Sequence, residues 1–412
     1  MAEKFKVPRG TFDVLPQQAA ERERVLSAAR EIFQRAGYRH MQTPSFEDTA
    51  LFERGVGKST DIVRKEMFTF EDKGGRSLTL RPEGTAPICR SYVEHGMHKL
   101  PQPVKLAYAG PFFRHERPQA GRYRQFHQIG AEAIGSDSPL ADVEVISLLS
   151  DLVEELGVPG VELHLGSLGS LEARAAYLDE LKSHLRSRSD ELSADVRDRI
   201  EINPLRAFDS DDEGTRGVMK DAPHLLDHLS TEDAEHFAEV RELLGAASVE
   251  YVIDPTLVRG LDYYTRTIFS FVCSHLGAQS EIGGGGRYDG LIAQLGGPDT
   301  PAVGWAAGIE RILLALDEEA EMPGVDLFIA VAGPEQQAKA MALAAEFRHH
   351  GLSVEIDLAG RSMKGQLKQA NRVNAVNVLT LEEDGTARLK NESGTDAREV
   401  SPGEVLELVR RG

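Results

Sequence analysis

Four arginines fall between positions 114 and 124, inside the stretch FRHERPQAGRYRQFHQ (113–128), with Glu116 the one acid among them. Guanidinium groups bind phosphate oxygens in pairs and keep their charge at any working pH, so a cluster with so little local compensation suits a triphosphate. Arg114 ends an apolar run, VKLAYAGPFF, a rigid place from which to aim a cation. Phe126 opens the return run FHQIGAEAIG and offers a face on which a base stacks. A solvated loop whose arginines pair with acids is the plainer account of such a segment. The scarcity of acids here puts phosphate binding ahead of it.

Other stretches carry chemistry less specifically. Arg81-Pro82-Glu83-Gly84-Thr85 follows the run SLTL and sets a carboxylate at a strand end, where it can receive an ammonium group or form an ordinary turn. Arg259-Gly260-Leu261-Asp262-Tyr263-Tyr264 flanks a glycine turn with an arginine and two tyrosines. The four glycines 283–286, followed by Arg287-Tyr288-Asp289-Gly290, read as a glycine-rich bend, either a flexible loop or a place where a ligand or backbone approaches closely. Gly304-Trp305-Ala306-Ala307-Gly308-Ile309-Glu310-Arg311 is expected to open a helix, with Arg311 in a salt bridge or facing a phosphate. GVGKST (55–60) ends like a phosphate-binding loop, but Phe52 stands where the first glycine belongs and no apolar strand precedes it, so it reads as a surface turn. A second basic cluster, Arg361, Lys364, Lys368 and Arg372, has no acid within it and sets cations three and four residues apart on one helix face.

The frame that must position these groups is mixed. A chain of 412 residues predicts two or three domains. No apolar run reaches membrane-spanning length, the opening MAEKFKVPRGTFDVLP lacks a signal core, and Cys89 and Cys273 build neither a disulfide framework nor a zinc site, so a reducing cytoplasm is expected. The net charge of -19 favours solubility and weighs against nucleic acid only weakly, since binding depends on local clusters. Val25, Leu26, Ala29, Ile32 and Phe33 recur at helical spacing in 20–36, and Gly37 ends that helix. The runs 104–113 and 126–135 form a long hairpin around the arginine loop, followed by a helix at about 139–156 and a strand VELHLG. From about 170 to 250 the chain turns helical and charge-rich, with an acidic loop FDSDDEGTRG, and reads as an insertion. Strand signals resume at VEYVIDP, YYTRTIFSFVC and SEIGGGGRYDG, a helix is expected from about 303 to 316, and EEAEMPGV (318–325) reads as a linker. The alternation beyond it predicts a small α/β domain with largely parallel strands.

Together these segments resemble the class II aminoacyl-tRNA synthetases, and among them the histidine-specific enzymes, over nearly the whole chain. Phe113-Arg114-His115-Glu116 is similar to the second class motif, Gly308-Ile309-Glu310-Arg311 to the third, and the region 35–53 with Pro44 to the first, which lies at a dimer interface. The 259–264 and 284–290 stretches are similar to the two histidine-specific signatures, and their order between the second and third motifs is highly specific.

The resemblance implies an α+β fold: a seven-stranded type of antiparallel catalytic sheet in 1–320, flanked by helices, with the helical insertion over it and an anticodon-binding α/β domain in 326–412. It implies a homodimer that joins L-histidine to histidine tRNA using ATP and Mg²⁺. By position, Arg114 would hold the α-phosphate, Glu116 the adenine amino group, Phe126 the adenine ring and Arg311 the γ-phosphate. Glu83, Thr85 and Gln128 would hold the ammonium and carboxylate end of histidine. Glu132 and Tyr264 would read the imidazole, with Tyr263 beside them, and Arg259 would be the catalytic cation across the α-phosphate. Arg117 and Gln119 would face the tRNA acceptor end, and Arg361, Lys364, Lys368 and Arg372 would meet tRNA in the C-terminal domain. No residue is assigned to a protein-held metal. Ala306 stands where many class members carry glycine, as is common in histidine-specific ones; the tail after Thr380 matches only loosely. Catalytically silent relatives of these enzymes sense histidine for its biosynthesis, but they lack the C-terminal domain and the catalytic arginines that this chain keeps.

Overall fold

Alternating side chains in the two apolar runs around the arginine loop face opposite ways, and the runs pair as a long antiparallel hairpin in register Phe112 with Phe126. This hairpin sits in an eight-stranded sheet. The computed structural model describes residues 4–57, 60–316, 324–391 and 397–411. In chain order the strands of that sheet are β1 (Arg39–His40), β2 (Val104–Phe113), β3 (Gln125–Ile134), β4 (Val161–Ser167), β5 (Val252–Ile253), β6 (Thr265–Cys273), β7 (Glu281–Arg287) and β8 (Ala302–Gly308). They lie side by side as β1-β2-β3-β8-β7-β6-β4-β5. The six inner strands are antiparallel, and the two-residue strands β1 and β5 add to the edges in parallel, giving eight strands rather than seven.

Successive β2 residues divide between two cores. Ala107 packs with Val25, Ala29, Ile32 and Phe33 of the helix Pro16–Arg35 and with the helix Pro139–Leu156, whereas Leu106 and Tyr108 pack with Tyr92, Tyr177 and Leu181. The first helix begins earlier than its apolar spacing shows because Pro16 occupies the first turn, where its fixed φ suits helix entry. The helical stretch 170–250 is shared between the cores. Helix Leu171–Ser187 joins the second, while Thr231–Ala246 places Phe237, Val240 and Leu244 in the first.

The glycines 283–286 form a strand, β7, as the strand signal of SEIGGGGRYDG has it, rather than a bend. One expectation changes: 302–308 form β8, so the helix expected from about 303 covers only Ile309–Leu316. The cause is close packing. A Cβ on Gly284 would lie 2.6 Å from the Phe269 carbonyl oxygen, and one on Gly285 would overlap the Gly304 carbonyl. Gly304 and the small residues after it therefore act as thin strand rather than as a helix interior.

The chain divides into two compact units, Met1–Glu318 and Glu319–Gly412. Most of the expected linker, 318–323, lies outside the described residues, as do Lys58 and Ser59 of the GVGKST turn. In the second unit Leu327–Val331 pairs in parallel with Val354–Ile356 and Asn377–Leu381. The loosely matching tail then adds Ala387–Asn391 and Arg398–Glu399 in antiparallel fashion, with residues 392–396 outside the description.

Gly285→Ala is expected to destabilise the protein by about 3 kcal/mol in urea unfolding, because the Gly304–Trp305 backbone leaves no room for a Cβ. Gly217→Ala, in a helix with nothing within 4 Å of the new methyl, is expected to stabilise it by roughly 0.5–1 kcal/mol. Equal effects at the two sites would refute the packing argument.

Candidate active site

The sheet presents a cleft of about 310 Å³ whose lining includes Glu83, Thr85, Arg114, Glu116, Phe126, Gln128, Arg259, Tyr263, Tyr264 and Arg311, gathered from five separate stretches of sequence. Arg114 is anchored at one end: its Nε donates to the Pro82 carbonyl at 2.9 Å, and its guanidinium lies 5.4 Å from the centre of the Phe126 ring. Of the four loop arginines, Arg114 and Arg122 line the cleft, on either side of Glu116. The carboxylate of Glu116 is 2.7 Å from Arg122 Nε and 3.8 Å from Arg114 Nη1. Arg124 turns instead toward the N-terminal segment, its backbone N–H donating to Gly10 O at 2.8 Å. Arg117 and Gln119 are exposed on the loop and do not line the cleft.

Glu281, which no sequence motif marks, joins two of the cations. Its side chain pairs with Arg259 Nη1 at 2.9 Å, and its backbone carbonyl accepts from Arg311 Nη1 at 2.7 Å. Arg311 also donates to the Gly121 carbonyl at 3.1 Å, and its side chain lines the cleft. Burial lowers the pKa of Arg311, with Arg122 and Arg114 adding to the effect. Cations brought this close repel one another unless an anion lies among them. Arg259 sits over the Tyr264 ring at 5.7 Å, and its buried Nε has no hydrogen-bond partner among the described residues.

Acidic and hydroxylic groups complete the lining. Glu83 is buried at the start of the helix Thr85–Glu94 and accepts the backbone N–H groups of Thr85 at 2.8 Å and Ala86 at 3.0 Å. It thereby caps a helix start whose unpaired N–H groups attract a carboxylate. Thr85 Oγ1 donates to Glu132 at 2.8 Å, and the Tyr288 hydroxyl donates to the other Glu132 oxygen at 2.6 Å. Glu132 is fully buried and does not itself line the cleft; Thr85 stands between. The side-chain oxygen of Gln128 is buried with no partner among the described residues, a group set to receive a donor. Tyr288 lies inside the glycine-rich 283–290 stretch, and its neighbour Arg287 proves structural, buried with Asp142 at 2.6 Å. Arg206 and Asp209, from the helical stretch, also line the cleft. No local signal marks them, since only the fold brings them there.

Glu310, next to Arg311, accepts the backbone N–H of His127 at 2.9 Å and pairs with Arg22 at 2.9 Å, which ties the helix Ile309–Leu316 to β3. In the second unit Lys364, Lys368 and Arg372 are exposed along the helix Met363–Arg372. Arg361 precedes that helix and pairs with Asp357 at 2.5 Å, so its charge is compensated from outside the cluster.

The family model described as histidyl-tRNA synthetase matches residues 10–312. The chain belongs to this family. It is 48% identical to a histidine–tRNA ligase of Rubrobacter xylanophilus over 412 residues, covering 97% of each chain. It is 46% identical to that of Acaryochloris marina, over 98% of this chain and 96% of the relative. Among solved structures it is similar to apo histidyl-tRNA synthetase of S. aureus, with a TM-score of 0.83 at 34% identity, covering 99% of this chain and 100% of the other. A Bacillus halodurans protein described as an ATP phosphoribosyltransferase regulatory subunit/histidyl-tRNA synthetase shares the fold, with a TM-score of 0.68 at 24% identity over 93% of this chain and 99% of that one.

Burial, the largest influence, raises the Glu132 pKa to about 8 from 4.5, against the hydrogen bonds from Tyr288 and Thr85 and with Glu83 adding to the rise. Below the lower value both folded and unfolded states hold the proton. Through the window up to about 8 the unfolded chain releases a proton that the folded chain keeps, so stability falls as pH rises and levels off above it. Wild type is therefore expected to lose stability between about pH 5 and pH 8 relative to Glu132→Gln in urea unfolding. Parallel pH curves would show that Glu132 is ionised in the folded protein.

Proposed function

We propose that this cleft carries out both steps of the histidine–tRNA ligase reaction, with L-histidine on the Glu83 side and ATP on the arginine side. Family membership over nearly the full chain gives the activity. The observation that supports these residue roles is the convergence of Arg114, Arg259 and Arg311 on one cleft with Glu83 and Thr85.

In the first step the histidine carboxylate attacks the α-phosphorus of ATP in line, forming an O–P bond as the bond to pyrophosphate breaks. The carboxylate is already ionised at neutral pH, so no general base is needed. Rate comes from alignment and from cations placed where negative charge gathers: Arg114 and Arg259 at the α-phosphate, Arg311 at the γ-phosphate. Phe126, already stacked against Arg114, offers its other surface to the adenine ring, and Glu116 accepts from the adenine amino group. In the second step a terminal ribose hydroxyl of histidine tRNA attacks the mixed anhydride and releases AMP.

Glu83, Thr85 and Gln128 hold the amino-acid end. Tyr263 and Tyr264 wall the imidazole, and Glu132 acts on it through the Thr85 hydroxyl that it orients. ATP enters as its Mg²⁺ complex. Glu281, a carboxylate lining the cleft beside Arg259, would be an oxygen donor of the kind that supplements phosphate ligands around that ion. Among the described residues no group of three or more His, Cys, Asp or Glu is arranged to hold a metal. Arg117 and Gln119 meet the acceptor end of the tRNA. The unit from 326 binds the anticodon through Lys364, Lys368 and Arg372, and the helix–strand region 35–53 forms a homodimer interface. Among the described residues no helix is long and apolar enough to cross a membrane, and a cytoplasmic site of action follows from the reaction's role in protein synthesis.

The purified protein is expected to exchange pyrophosphate into ATP only when histidine is present. Tight histidine binding without exchange would instead make it a histidine sensor. Arg259→His is expected to slow adenylate formation at least 100-fold while changing ATP affinity little. Equal losses in both would reduce Arg259 to a binding group.

A further inference from the structure

The 259–264 turn that delivers Arg259 belongs to neither a strand nor a helix. Within the turn itself, the backbone N–H of Asp262 reaches out to the Val56 carbonyl at 3.2 Å. Two side chains from the helical stretch grip it. Asn203 Nδ2 donates to Asp262 Oδ1 at 3.1 Å. Arg174, 7% exposed, donates to the Tyr264 carbonyl at 2.7 Å and to the Leu168 carbonyl at 3.0 Å. Among the described residues Arg174 has no ion-paired carboxylate, and burial lowers its pKa to about 10. A guanidinium kept in a core at that cost, with carbonyls as its partners, serves to fix backbone.

The same stretch also holds the segment behind the turn. Arg199 pairs with both oxygens of Asp61, at 3.0 and 3.1 Å. Asp61 precedes the short helical turn Ile62–Glu66, whose Glu66 carbonyl accepts the His115 N–H at 2.7 Å, next to Arg114. Arg206, one turn beyond Asn203, flanks Gly260.

We infer that the helical stretch is a positioning element for the chemical step, holding Arg259 in line through Asn203 on Asp262 and Arg174 on Tyr264. The inference rests on the proposed role of Arg259. Asn203 and Arg174 touch no reacting atom; they set where the cation sits. A displacement of about 1 Å at such a group costs on the order of 100-fold in rate.

Asn203 is the position to test, because its partner can be exchanged. Histidine-dependent pyrophosphate exchange is measured for wild type, Asn203→Ala, Asn203→Asp, Asp262→Asn, the double swap Asn203→Asp with Asp262→Asn, and Arg259→Ala with and without Asn203→Ala. Histidine binding and urea midpoints are measured alongside. Asn203→Ala is expected to lower kcat about tenfold with KM for ATP and histidine within twofold. Asn203→Asp sets two carboxylates against each other and is expected to do worse. The swap restores a donor–acceptor pair and is expected to recover at least tenfold over Asn203→Asp. In the Arg259→Ala background Asn203→Ala is expected to change the rate less than twofold. A kcat within twofold of wild type for Asn203→Asp, a swap without recovery, full additivity with Arg259→Ala, or losses that follow histidine affinity and the urea midpoint would each overturn the inference. An Arg259→Ala enzyme that exchanges at the wild-type rate would overturn the role of Arg259 itself.

Discussion

The carboxyl group of Glu132, fully buried in β3 with Thr85 and Tyr288 donating to its two oxygens, is the constraint to which much of the first unit answers. A side chain at Gly304 would overlap Glu132, so β8 must be thin beside it; Gly285 must be thin in turn where β7 meets Gly304. Thr85 is fixed at a helix start, which places Glu83 where it caps that helix and faces the cleft. Tyr288 is fixed at the end of β7, directly after Arg287, whose ion pair with Asp142 is wholly buried. A polar group so far from water is retained only when each partner is satisfied. Satisfying it sets the spacing of β3, β8 and β7.

The other half of the cleft is arranged by repulsion and its relief. Arg114, Arg122, Arg259 and Arg311 surround one space. They stay there because each is tied to something rigid: Pro82, Glu116, Glu281, or the Gly121 and Glu281 carbonyls. The Pro82 carbonyl orients the Arg114 guanidinium without neutralising it, so positive charge remains there for an incoming phosphate. Glu281 links Arg259 to Arg311 through one side chain and one carbonyl, although the two arginines are far apart in sequence.

Much of this arrangement is legible in the order of residues along the chain. The arginine-rich hairpin, its apolar arms and the succession of short motifs are enough for the family and for most of the residues that line the cleft. The small residues of β8 are not legible as a strand, and the glycines of β7 give a strand signal and a bend signal at once. Their identity comes from what neighbouring strands allow, and local propensity for glycine and alanine points elsewhere. Asn203 and Arg174 escape detection because the partners they hold in the 259–264 turn lie about 60 and 90 residues away and no spacing rule links them. Arg361 looks uncompensated in sequence because Asp357 falls just outside the run of cations.

Through the Thr85 hydroxyl that it orients, the buried Glu132 carboxyl makes the site demand a nitrogen-bearing ring. That demand is measured by comparing L-histidine with β-(2-thienyl)alanine, a ring of similar size with no N–H, in single-turnover adenylate formation. A site built on polar partners rejects the analogue by roughly 10⁴-fold or more in kcat/KM. Most of that discrimination is expected to vanish in Glu132→Ala. Rejection by only tenfold, or discrimination unchanged in Glu132→Ala, would show that the buried carboxyl does not set the ring preference.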